Sequence, residues 1–226
     1  MIRVPRKSGA REDQMMQPWE LLAENRILHL IGFIVGAWGK IGRYDYSSPE
    51  AIAQSMIILD SLNHKPIKLV IDSPGGIIQD GLRFYNIMQS LKSPVYTIGS
   101  FCASMAAILF VAGTPGHRYL YPHARIMLHL PTAEVTGDVE TIQRQTAEFQ
   151  KDKEILVNLL MKHGCKKSRK KILEDIDREF YLSDQGAINY GVADYIITPD
   201  IHQELFGNLV IPDFKQAEKS KCSNET

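Results

Sequence analysis

With 226 residues, 44% of them hydrophobic, the chain is long enough to bury one large core or two small ones, and a disordered protein is excluded. Its 26 basic residues are balanced by 26 acidic ones, so no global field favours nucleic acid or an anionic membrane surface. Cys102, Cys165 and Cys222 lie far apart and form no C-x-x-C pair, which argues against a disulfide framework or a zinc site and fits a reducing, cytoplasmic compartment. No H-x-x-x-H spacing points to a metal. The apolar runs 27–38 and 105–113 are too short to span a bilayer, and no secretory signal is expected.

Residues 1–17 mix Arg3, Arg6, Lys7 and Arg11 with Glu12 and Asp13 without periodicity and read as a mobile arm. A short amphipathic helix is expected over 18–24 and a first strand over 26–35. Residues 36–48 read as a loop. Ser48 caps a helix that has Pro49 at its first position and an apolar stripe of Ile52, Met56 and Leu59. Lys68–Asp72 reads as a buried strand. It is broken by Ser73-Pro-Gly-Gly76, whose two glycines permit positive φ and close backbone approach. A helix runs from there to Leu91.

The stretch 95–113 follows. Val95–Ile98 is a β-branched run, residues 99–104 are mostly small, and an apolar helix starts at Met105. A serine at such a corner has an exposed hydroxyl and backbone N–H groups aimed at the same point. Residues 113–122 read as a turn region, and 124–130 as a strand with His129 at its end. Val139–His163 is the longest helix, closed by Gly164. The basic run Lys166–Lys171 lacks interleaved aromatics and reads as a solvated helix start. An acidic patch, 175–179, precedes Phe180-Tyr-Leu. Ser183 caps a short helix ending before Gly191, 193–198 is the last strand, and 201–226 is a polar tail. Strands alternating with helices in this way indicate parallel β-α-β units. In a parallel sheet the strand C-termini share one edge, so Ser104, the Pro-Gly-Gly amides and His129 can converge there.

These residues match a known family. Leu-Val-Ile-Asp-Ser-Pro-Gly-Gly (69–76), Cys-Ala-Ser-Met-Ala-Ala (102–107), Pro-His-Ala-Arg-Ile-Met-Leu-His-Leu-Pro (122–131), Thr-Gly-Asp-Val-Glu-Thr-Ile (136–142) and Tyr-Leu-Ser-Asp-Gln-Gly-Ala-Ile-Asn-Tyr-Gly (181–191) occur in family order. Over residues 18–200 the chain resembles the proteolytic subunits of the Clp ATP-dependent proteases. The resemblance implies a crotonase-like α/β domain of repeated β-α-β units with a projecting handle helix over 139–163. It also implies a serine endopeptidase that degrades unfolded polypeptides without a cofactor of its own. Stacked heptameric rings, homo- or hetero-oligomeric, would enclose the sites, fed by an AAA+ unfoldase. Position by position, Ser104 matches the nucleophile, His129 the general base, and Gly76 and Met105 the oxyanion-binding amides. Glu179 stands where the family has an aspartate, and Asp177 is the alternative third residue. A non-catalytic ring subunit is the alternative function.

Overall fold

The computed structural model describes residues 4–5, 15–36, 48–132 and 134–209. In chain order the elements are β1 (Val4–Pro5), β2 (Met15–Met16), α1 (Pro18–Glu24), β3 (Ile27–Ile31), α2 (Pro49–Leu62), β4 (Ile67–Ser73), α3 (Ile78–Ser90), β5 (Val95–Ala103), α4 (Met105–Val111), β6 (Arg118–Leu128), α5 (Val139–Lys162), α6 (Arg169–Asp175), β7 (Phe180–Ser183), α7 (Asp184–Tyr190), β8 (Tyr195–Ile196) and α8 (Pro199–Phe206). They fall into two compact units, one spanning His29–Ile197 and the other built from the two chain ends.

The larger unit is a sheet with strand order β3-β4-β5-β6-β7 and β8 beside β6. The pairs β4–β5, β5–β6 and β6–β8 are parallel, as the alternation of strands and helices requires. The pair β6–β7 is antiparallel, a departure from the all-parallel expectation. Ile67, Leu69 and Ile71 of β4, Ile98 of β5 and Ile126 of β6 are wholly buried. All of α4 is buried as well, which is why its sequence is apolar on every side rather than on one stripe.

Helix starts follow the capping residues. The Ser48, Asp138, Ser168 and Ser183 side chains each accept an N–H from the first turn of α2, α5, α6 and α7. The strand ending at residue 128 begins at Arg118, inside the segment expected to be a turn. Its residues 121–124 bulge opposite β5, and His123 takes φ 67° there. That irregularity interrupts the alternation that would have marked the strand.

In the smaller unit, β1 and β2 pair antiparallel within the segment expected to be an arm. Helix α8 occupies 199–206, where the polar tail was expected to begin. Thr198 caps it and Pro199 opens it, a start signal that the polar composition obscured. The rest of the arm, most of the 36–48 loop and the tail beyond 209 lie outside the described residues.

Candidate active site

The site is built on the C-terminal ends of β5 and β6. In their parallel register Ala103 pairs with Met127, so both chains leave the sheet at the same edge. Ser104 turns the chain from β5 directly into α4 with φ 54° and ψ −125°, and its N–H donates to the Met127 carbonyl at 2.8 Å. That backbone conformation is the mirror image of an extended one. For a residue with a Cβ it costs about 1–3 kcal/mol and persists only where the surroundings enforce it. It throws the hydroxyl out of the sheet edge. His129 is one residue past the end of β6, and its Nε2 lies 2.7 Å from Ser104 Oγ.

The Ser73–Gly76 loop closes on the same corner. A Cβ at Gly75 would sit 2.7 Å from the Ala103 carbonyl oxygen and 2.8 Å from Ser104 Cβ, so this backbone approaches the elbow more closely than any other residue allows. Gly76 bridges Ile34 in parallel fashion. The Ile34 N–H donates to the Gly75 carbonyl and the Ile77 N–H to the Ile34 carbonyl, both at 2.8 Å. In such a bridge the N–H of the middle residue points away from the partner strand, so that of Gly76 is turned from Ile34. Met105, the first residue of α4, has an N–H that the helix itself cannot satisfy. Gly76, Ser104, Met105 and His129 all line one cleft, whose apolar wall includes Ile108, Leu156, Leu160 and Ile176.

Antiparallel β7 delivers the acidic segment. Its register pairs Met127 with Tyr181 and Leu128 with Phe180. Continued one step beyond its last pair, that register would set Glu179 across from His129. Leu130 then donates to the Ile176 carbonyl at 2.9 Å, two residues past the Arg178 that the same register would place there. Asp177 and Arg178 therefore loop out. Asp177 is 67% exposed and its nearest charge is Arg178, at 3.9 Å. Glu179, the expected third residue, and Asp177, its alternative, thus occupy different places. Burial pushes the His129 imidazole below its ordinary pKa, and the Glu179 charge pulls it partly back up. Glu179 Oε2 accepts a hydrogen bond from Tyr181 Oη at 3.1 Å. Among the described residues none is made between Glu179 and His129.

Two contributors escaped the sequence reading. The sequence singles out Gly76 but not Gly75, and Tyr181 stands there only as the first residue of the 181–191 family match. Cys102, two residues before Ser104, is fully buried, and its thiol pKa is raised by that burial, so it is inert at neutral pH. Among the described residues no cluster of His, Cys, Asp or Glu has the grouping to hold a metal ion, and no helix is long and apolar enough to cross a membrane.

A serine on a strained strand-to-helix corner, with an imidazole at hydrogen-bonding distance on the carboxyl edge of a crotonase-like sheet, is the arrangement of an α/β hydrolytic enzyme. The sequence profile of the Clp protease family matches residues 13–200. Relatives include ATP-dependent Clp protease proteolytic subunit 1 of Rhodopirellula baltica, 35% identical over 83% of this chain and 78% of its own length. The ATP-dependent Clp protease proteolytic subunit of Dehalococcoides mccartyi is 35% identical over 84% and 91%, and that of Carsonella ruddii 32% over 82% and 90%. The chain belongs to the Clp protease family, a family of peptidases.

Proposed function

We propose that this chain is the proteolytic subunit of an ATP-dependent Clp protease, a serine endopeptidase acting through Ser104, His129 and Glu179. The observation that carries the proposal is the 2.7 Å separation of Ser104 Oγ and His129 Nε2, at a corner flanked by the Gly76 and Met105 amides. As the Ser104 oxygen bonds to the scissile carbonyl carbon, its proton passes to His129 Nε2. The carbonyl oxygen becomes an oxyanion and takes the two amide N–H groups, each such donor contributing about 3 kcal/mol to the transition state. Collapse breaks the C–N bond while His129 returns the proton to the leaving amine. Water, deprotonated by the same imidazole, then attacks the acyl-enzyme and releases the acid. Glu179 stabilises the imidazolium formed in each half. The apolar wall of the cleft accommodates an apolar substrate side chain.

The partners belong to the same proposal. Helix α5 carries exposed Val139, Ile142, Ile155 and Met161 and serves as the handle by which two heptameric rings stack into a closed chamber. An AAA+ unfoldase spends the ATP and feeds in unfolded polypeptide. The test combines the mass of the intact particle with turnover of a fluorogenic peptide by wild type and Ser104→Ala. A double-ring mass for both, with activity in the wild type alone, is expected. A monomeric wild type, or an active Ser104→Ala particle, contradicts the reading.

A further inference from the structure

The hydrolytic scheme leaves one contact of its acidic residue unused. Tyr181 Oη donates to Glu179 Oε2 at 3.1 Å. Glu179 immediately precedes β7 and Tyr181 is the second residue of that strand, an i, i+2 spacing that suits a contact on one side of an extended chain. The partner strand places Met127 opposite Tyr181, two residues before His129, and the Glu179 charge acts on the His129 imidazole. With its Nε2 directed at Ser104, the imidazole has only Nδ1 left for a carboxylate. The bond from Tyr181 occupies one oxygen of Glu179 and leaves Oε1 available. Glutamate has one more rotatable bond than aspartate, and at an exposed strand edge no packing fixes it. A phenol two residues along has fewer rotatable bonds than glutamate and supplies a hydrogen-bond donor to it.

We infer that Tyr181 is a positioning residue, tethering the Glu179 carboxylate so that its charge stays beside His129. The inference rests on the reading of Glu179 as the third catalytic group. The electrostatics on both sides of the tether follow from the same geometry. Glu179 is the charge that raises the His129 pKa against burial. Tyr181 has its own pKa raised, chiefly by the bond it donates to Glu179. Other charged groups nearby are engaged elsewhere: Asp177 faces Arg178, and Asp175 is held by Lys171 and Tyr190. A shift in the His129 titration on altering Tyr181 therefore reports on Glu179.

The test uses the full-length assembled protein and a fluorogenic peptide. Tyr181→Phe keeps the ring of a half-exposed side chain and removes only the hydroxyl. It is expected to lower kcat about tenfold, the loss of a charge-assisted hydrogen bond, with KM unchanged. The acid limb of kcat/KM is expected to move to lower pH, because a loosened Glu179 no longer raises the His129 pKa. In a Glu179→Gln background, Tyr181→Phe is expected to add nothing. Wild-type kcat and an unmoved acid limb in Tyr181→Phe, alongside an impaired Glu179→Gln, overturn the tether and leave Glu179 in place. A further tenfold fall in the double variant also overturns it, since the two groups would then act separately. A fully active Glu179→Gln overturns the parent reading, and the tether with it.

Discussion

Gly76→Ala tests the proposed oxyanion role of the Gly76 amide apart from the rest of the site. A Cβ at this position would lie 2.2 Å from the Ile34 carbonyl oxygen and 2.8 Å from both Ile34 N and Ile34 C. Ordinary contact begins near 3.4 Å, so residue 34 and residue 76 must separate by about 1.2 Å, the difference between the two distances. Ile34 is fully buried and is held by the Gly75 carbonyl and the Ile77 N–H, so it cannot yield freely. The displacement falls on the Gly76 amide. Overpacking of this size costs about 1–3 kcal/mol of stability, which leaves a domain of this length folded. A misplacement of about 1 Å at a catalytic group costs about 100-fold in rate. The assay is kcat for a fluorogenic peptide, with the denaturation midpoint and particle mass measured on the same preparation. An assembled Gly76→Ala variant turning over at the wild-type rate would refute the assignment of this amide.

Ser104→Gly and Ser104→Ala both remove the hydroxyl and are expected to be inactive. Glycine enters φ 54° and ψ −125° without strain while alanine does not, so Gly should be the more stable of the two by about 1–2 kcal/mol, read from denaturation midpoints. Burial lowers the folded-state pKa of His29, His129 and His163 below their ordinary 6.5. The unfolded chain then takes up these protons first, so stability should be full above that value and fall as pH drops from 6.5 through the lowered pKa values, as urea titrations would show. Arg118 donates to both Asp194 oxygens, and its side chain is only 7% exposed. Removing either partner alone should cost about 3–5 kcal/mol, and replacing both by apolar residues less than the sum.

What the sequence made legible follows from how local each signal is. Ser104 and His129 sit at the ends of adjacent parallel strands, and parallel register brings such ends together without further information. The helix starts at Ser48 and Ser183 were spelled by their caps. By contrast, the choice between Glu179 and Asp177 depends on the antiparallel register of β7 and on the two-residue loop at 177–178. Neither leaves a mark in composition or periodicity. Arg118–Leu128 was shortened because a bulge at 121–124 breaks the alternation that identifies a strand. Tyr181 reads as one more strand aromatic until its hydroxyl is seen on Glu179. Helix α8 was hidden by the polar surface of a short terminal segment.

The central claim is that Ser104 is an activated nucleophile because His129 takes its proton. Labelling the assembled protein with a fluorophosphonate and mapping the adduct by mass spectrometry tests it most directly. A single adduct on Ser104 is expected, its rate rising with pH as His129 deprotonates and collapsing in His129→Ala. An assembled protein that stays unlabelled, or a Ser104 adduct formed at the same rate without His129, would contradict it.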